Sequence, residues 1–176
     1  MTHHRIAGLI ACSLLALSAL AQTPAKKPAA MKKNSGPVAL GSEQWMDVPA
    51  AALVGTPAVA MNGTWKIAIL QGDPMAAGRP YTVRFSCTDG ARFAPHFHPT
   101  TENVTVLQGS LMLGMGSKWD DAAMKEVPLG AFVSAPAQMR HYVQCKGDGI
   151  LQVHGVGPLV VNFVGPDDAG PAKKPE

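Results

Sequence analysis

The chain has 176 residues, 47% of them hydrophobic and 15% charged, which predicts one domain whose core is large enough to fold without disulfide staples. Glycine (18) and proline (15) make up about 19% together, which excludes collagen-like and low-complexity classes. The formal charge is +3, yet Lys26, Lys27, Lys32, Lys33, Lys173 and Lys174 all sit in Ala/Pro/Lys-rich ends, and Gly41 to Asp168 holds eight Lys or Arg against eleven Asp or Glu, a charge of −3. That balance excludes a nucleic-acid domain, which clusters Lys and Arg on its own folded surface.

Met1 to Arg5 leads into the apolar run Ile6 to Ala21, which ends in the small-residue pattern Ala19-Leu20-Ala21. Residues 1–21 therefore read as a secretory signal peptide cleaved after Ala21, and the protein is expected to be periplasmic or secreted. The run is short for a stable membrane span, and no second one follows. Leu9-Ile10-Ala11-Cys12 resembles a lipoprotein processing site, but only six apolar residues precede Cys12, so lipidation is the less favoured alternative. Residues 22–41 read as a flexible Ala/Pro/Lys-rich linker and residues 169–176 as a disordered tail, leaving 42–168 as the folded domain.

Pro49 to Val54 predicts one helical turn. From Trp65 onward the chain is a series of short β-rich runs: WKIAIL, YTVRFSC, NVTVLQ, SLMLGM, KEVPL, AFVSA, HYVQC, ILQVHGV and LVVNFV. Turn formers separate them, among them Asp89-Gly90, Gly109-Ser110, Gly147-Asp148-Gly149 and Gly157-Pro158. Many short strands with close turn signals predict an all-β antiparallel sandwich or barrel. A second helical turn is expected at Asp120 to Lys125, in the longest internal loop.

Four histidines lie in the folded part, and His96 and His98 stand at i and i+2. On an extended strand that spacing puts both imidazoles on one face, roughly 6.6 Å apart along the backbone and close enough to share one metal ion. Pro99 holds His98 extended, because a residue before proline is pushed out of the helical region. Glu102 follows at an even step and returns to the same face.

The string Gly90, five residues, His96-Phe97-His98, three residues, Glu102, six residues, Gly109 resembles the first signature motif of the cupin superfamily. A second string resembles the other cupin motif: Gly130, five residues, Pro136-Ala137-Gln138, two residues, His141, three residues, Cys145. It departs from the pattern where Gln138 replaces the turn glycine and Cys145 replaces an asparagine. Glycine supplies positive φ there, so the glutamine predicts a different turn before His141.

The resemblance, carried by exported single-domain cupins of unassigned activity, covers about Gly63 to Val164. It implies a double-stranded β-helix, or jelly-roll barrel, in which His96, His98, Glu102 and His141 bind one divalent transition metal. Three imidazoles and a carboxylate suit Fe, Mn, Ni, Co or Zn alike. With such an ion the site carries a net +1 charge and favours an anionic small-molecule substrate.

Other residues carry weaker signals. Cys145 lies about 13 Å beyond His141 along an extended strand, too far to ligate the same ion. It reads as core filler in preference to a disulfide partner of Cys87. Arg84 reads as a surface charge, with substrate anchoring the alternative. His154 reads as a surface or structural histidine, and Trp119 as either a cover for the pocket mouth or an interface residue. Val104, Val106, Met139 and Val143 are expected to line an apolar cavity.

The function these features predict is a small metalloenzyme that oxidises, dioxygenates or decarboxylates a small anionic molecule, with Glu102 also available as an acid or base. A non-catalytic metal- or ligand-binding module is the alternative, and a sugar isomerase or epimerase a third. The enzyme is preferred because neither a membrane span nor a transcriptional segment is legible in the chain. A homodimer is expected by analogy.

Overall fold

The computed structural model describes residues 36–55 and 61–165. The expected signal peptide, the linker up to residue 35 and the C-terminal tail lie outside the described residues. Among those described, the strands are β1 (Met46–Asp47), β2 (Leu53–Val54), β3 (Met61–Asn62), β4 (Trp65–Gln71), β5 (Pro80–Cys87), β6 (Arg92–Phe97), β7 (Glu102–Met115), β8 (Lys125–Val127), β9 (Phe132–Ala135), β10 (His141–Val156) and β11 (Val161–Phe163). Single 3-10 turns at Ala50–Ala52 and Asp121–Ala123 fall inside the two helical turns expected from the sequence. No helix of the described residues is long and apolar enough to cross a membrane.

Period-two alternation builds the interior. Tyr81, Val83, Phe85 and Cys87 of β5 are buried, as are His141, Val143 and Cys145 and then Leu151 and Val153 of β10. The strands form one curled sheet, β1-β4-β5-β10-β6-β11-β2, with β7 on β10 and with β8 and β9 on β7. This is the all-β class that the short strands and turn signals predict, in the jelly-roll form that the resemblance implies.

β10 is its spine. Its first residues pair with β6 and its later ones with β5, while β7 runs antiparallel along most of its length.

Two turn expectations fail in one place. NVTVLQ and SLMLGM are one strand, β7, and HYVQC and ILQVHGV are one strand, β10. The glycines at both junctions make bulges instead of reversals. Lys146 pairs with Ser110, Ile150 with Gln108 and Leu151 with Val106, so the register slips twice within a few residues. The second slip adds a residue to β7 and changes its phase, which is why Val106 and Leu111 are both buried although five residues apart. Gly109 makes the bulge feasible, with φ +65 and a position where a Cβ would meet the Asp148 carbonyl oxygen at 2.8 Å.

Cys87 and Cys145 form a disulfide between β5 and β10 with a Cα separation of 6.4 Å, which corrects the reading of Cys145 as core filler. The separation lies within the range that such bridges span. The partners are 58 residues apart, so only the strand register brings them together. Gly149, paired with Cys87, leaves the room, since a Cβ there would lie 2.9 Å from the Cys87 sulfur.

Arg84 is also reassigned. It is neither a surface charge nor a substrate anchor, because the N-terminal segment covers it and Glu43 pairs with its guanidinium at 2.6 Å, the two side chains being 0% and 10% exposed. Gln152 accepts a second bond from Arg84 at 3.3 Å. The pair holds the segment preceding β1 against β5.

Candidate metal centre

Three strands deliver the site. His96 is on β6, His98 follows its end, and His141 opens β10 directly opposite His96 in the ladder. Glu102 opens β7. The imidazole centroids of His96 and His141 are 4.3 Å apart, those of His96 and His98 5.1 Å, and those of His98 and His141 5.4 Å. The three histidines each offer a ligand nitrogen within 4.8 Å of the other two. All four side chains are buried.

Backbone carbonyls set the tautomers. Nδ1 of His96 meets the Ala94 oxygen at 2.7 Å, that of His98 meets Val160 at 2.8 Å, and that of His141 meets Met139 at 3.1 Å. A carbonyl only accepts, so each Nδ1 carries a proton, and in the neutral ring Nε2 is the atom that keeps a lone pair. The buried Nε2 of His98 has no hydrogen-bond partner among the described residues. Nitrogen lone pairs gathered in a buried cluster, each ring oriented by a backbone acceptor, fit a borderline divalent ion.

Glu102 stands beside two of the three. Its Oε2 is 3.3 Å from His98 Nε2 and 3.8 Å from His141 Nε2. It is not part of the mutually close histidine group.

The electrostatics follow from burial and neighbours. Burial holds the His96 pKa well below its ordinary value, with His141 and His98 acting in the same direction. Burial also lowers His141, against the opposing pull of Glu102. For His98 burial is outweighed by the Glu102 carboxylate, and the pKa rises. Burial works against the Glu102 anion, but His98 and His141 override it and lower its pKa. The cluster thus holds His96 and His141 neutral beside an ionised carboxylate, the protonation states a metal site uses.

The cluster opens on a cavity of about 50 Å³, room for an ion with one or two waters. Val104 and Val143 line it as expected. Val106 is instead packed in the core, and Met139 contributes its carbonyl to His141 and no wall. Trp65, Phe85 and Phe93 form much of the far wall. They were legible as strand residues of WKIAIL, YTVRFSC and the histidine segment, but nothing in the sequence aligned those strands on one cavity.

The turn before His141 keeps its backbone despite the missing glycine. Gln138 adopts φ 66 itself, the only non-glycine positive φ among the described residues, so the expected change of turn does not occur. Its N–H donates to the His98 carbonyl at 2.9 Å, and Met139 N–H closes the turn on Pro136 at 3.1 Å.

His154 is exposed near Phe132, as the surface reading expects. Trp119 lies outside the cavity wall: its ring packs on Tyr142 at 4.9 Å, the Arg92 guanidinium sits 4.7 Å over it, and its Nε1 donates to Asp121. It covers neighbouring strands and not the pocket mouth.

No protein-family model matches the chain, and no curated protein matches it. Solved structures do. A proposed acetylacetone dioxygenase from Methylibium petroleiphilum is 21% identical, with a TM-score of 0.55 over 81% of this chain and 88% of that one. The polyketide cyclase RemF from Streptomyces resistomycificus is 19% identical, with a TM-score of 0.55 over 76% and 89%. An acetylacetone dioxygenase from Acinetobacter johnsonii is 16% identical, with a TM-score of 0.50 over 79% and 87%. At these identities the likeness speaks for the fold, and with the two motifs seated at one buried site, the chain has the fold of the cupin superfamily.

Proposed function

We propose that this protein is an exported metalloenzyme that acts on a small anionic organic molecule by oxidation, dioxygen insertion or decarboxylation. The observation that carries the reading is the convergence of three histidines whose Nδ1 atoms are all committed to backbone carbonyls. That arrangement desolvates three rings and commits only the Nδ1 of each to the backbone, which leaves the Nε2 atoms as candidates for a bound ion.

His96, His98 and His141 would hold the ion through nitrogen, and Glu102 would complete the set as the fourth ligand, through oxygen. A divalent ion bound there would supply Lewis acidity toward a substrate oxygen and, if redox-active, electrons for dioxygen. Three neutral imidazoles and one carboxylate leave an excess positive charge that draws an anionic group. Glu102, set against His98 and His141, is also the group placed to take or return a substrate proton. The apolar walls, Val104 and Val143 among them, exclude bulk water from the reacting end.

Two of the similar structures carry the name acetylacetone dioxygenase and a third the name polyketide cyclase, which supports small oxygen-rich organic substrates without selecting one. The disulfide supports export, because such bridges persist in oxidising compartments.

Elemental analysis of protein purified without added metal tests the site. The wild type should carry about one equivalent of a transition metal, and His96→Ala and Glu102→Ala far less. Equal content in all three sinks the reading. Oxygen uptake by iron- or manganese-loaded protein with phenols, keto acids and oxalate then tests turnover. Metal without turnover on any of them would make the barrel a binding module.

A further inference from the structure

The backbone holds each histidine ring of the cluster through Nδ1, but the Glu102 carboxylate faces the histidines themselves. Its Oε2 lies 3.3 Å from His98 Nε2 and 3.8 Å from His141 Nε2, the nitrogens that an ion would take. A nitrogen bound to an ion donates nothing, so a loaded site leaves this buried carboxylate in need of another donor. Carboxylates that ligate metals are in turn held by hydrogen bonds from outside the ligand set.

The strand register brings a donor across. Gly155 of β10 pairs with Tyr81 of β5 on one side and with Glu102 of β7 on the other, so the three form one row across the sheet. Leu151 and Val153 of β10 are buried, and the period of two puts Gly155 on the same inner face. A side chain there would separate Tyr81 from Glu102. Glycine leaves the space and the tyrosine fills it: a Cβ on Gly155 would lie 3.0 Å from the Tyr81 hydroxyl oxygen and 2.9 Å from the Thr101 carbonyl oxygen. The hydroxyl therefore sits over β10, beside the backbone that leads into Glu102.

Strands two apart in a sheet are separated by about 10 Å, a span that a tyrosine and a glutamate leaning toward each other over a glycine cover together. Tyr81 is 2% exposed, and a buried tyrosine hydroxyl takes a partner where one is in reach. Burial raises the Tyr81 pKa and the Glu102 charge adds to the rise, so the hydroxyl keeps its proton and is available as a donor.

We propose that in the metal-loaded site the Tyr81 hydroxyl donates to the Glu102 carboxylate across Gly155 and so holds it facing the ion-binding nitrogens. The proposal rests on the metal-centred reading above and makes Tyr81 a positioning residue, one that acts through Glu102.

Zinc affinities of wild type, Tyr81→Phe, Glu102→Ala and the double variant, measured by competition calorimetry, test it. Tyr81→Phe keeps the ring and its packing, and should lower the affinity about tenfold. In the Glu102→Ala background the same substitution should change it by less than about twofold, because the hydroxyl has lost the group it holds. A general loosening of the barrel would weaken zinc equally in both backgrounds. A second measurement stands even if Tyr81→Phe folds poorly. The chain has two tyrosines, so labelling the tyrosine Cζ carbon gives two resonances, and Tyr142→Phe assigns them. At saturating zinc the Tyr81 resonance should lie downfield in wild type relative to Glu102→Ala, since donation to an anion draws a phenol toward phenolate.

Equal losses in the two backgrounds, an affinity unchanged by Tyr81→Phe, or a Tyr81 resonance indifferent to Glu102 overturns the proposal while leaving the metal-centred reading intact. If wild type binds no zinc, the metal-centred reading fails and this proposal fails with it.

Discussion

Two neighbouring regions in the first half of β10, a histidine end at His141 and a disulfide end at Cys145, solve opposite problems. At His141 the strand carries a group whose useful nitrogen is left free among other buried polar atoms, and four residues later, at Cys145, it is tied covalently to β5. Around the disulfide the packing is apolar and closed, with Cys145 and Val83 almost wholly buried. Around the histidines, the structure keeps desolvated rings in place with one nitrogen of each bonded to a backbone carbonyl and the other turned to its neighbours. A site of the second kind persists because a neighbouring region of the first kind holds the strands in register.

Removing the bridge should have the largest effect on stability. Closing a loop of 58 residues' separation corresponds to about 4 kcal/mol in the chain-entropy account. The double replacement Cys87→Ala with Cys145→Ala should lower the stability measured by urea unfolding by about that amount. The metal content of the folded fraction should stay at the wild-type level. A variant that loses metal while still folded would show that the two ends are coupled instead of divided in labour.

The other end should respond in the reverse way. Metal at about 100 times its dissociation constant should stabilise the wild type by about 2.7 kcal/mol through mass action. In His96→Ala that gain should vanish, separately from any stability the unloaded variant loses with a buried ring that packs near Phe93 and bonds the Ala94 carbonyl. Thermal shifts with and without metal separate these outcomes. A large loss of stability in the unloaded variant would mean that His96 is a packing residue first.

Acid sharpens the comparison at a third place, the covered pair Glu43 and Arg84. Burial works against the Glu43 carboxylate, but bonds from backbone N–H groups and from Arg84 outweigh it and lower its pKa below 4.5. A carboxylate lowered on folding adds stability that is fully present above the unfolded value and is lost as pH falls through the folded one. Wild type should therefore exceed Glu43→Gln in stability at neutral pH, with the difference shrinking below about pH 4.5. A difference that is constant down to strong acid would assign the stability to shape instead of charge.

These regions also mark what could be read from residues alone. Short β-rich runs such as YTVRFSC and ILQVHGV between turn formers carried the all-β class, and the spacing of His96, His98, Glu102 and His141 carried the site, because both are local patterns or short motifs. The disulfide, the covering of Arg84 and the placement of Trp65 depend on which strands become neighbours, and that register is set by bulges at Gly109 and after Lys146. Glycines in strand runs look like hairpin turns when the partner strand is unknown. Met139 was misplaced for a related reason: it precedes β10, where alternation no longer governs direction.

The smallest expected effect tests how tightly the histidine end is specified. Gln138 holds φ 66 in a turn whose third position usually takes glycine when φ is positive. A residue with a Cβ pays about 1–2 kcal/mol in that region, while glycine costs about 0.5–1 kcal/mol through its freer unfolded chain. Gln138→Gly should therefore stabilise the protein by up to about 1 kcal/mol, and Gln138→Ala, with the same φ penalty, should change little. Both retain the backbone N–H that donates to the His98 carbonyl, so metal affinity should be unchanged in either. Gln138→Pro removes that donor and cannot adopt positive φ, so it should weaken metal binding even where the barrel still folds. Calorimetric titration of the three variants with one metal resolves the point. If Gln138→Gly loses affinity, the glutamine side chain, and not only its backbone, holds the two ligand-bearing segments together.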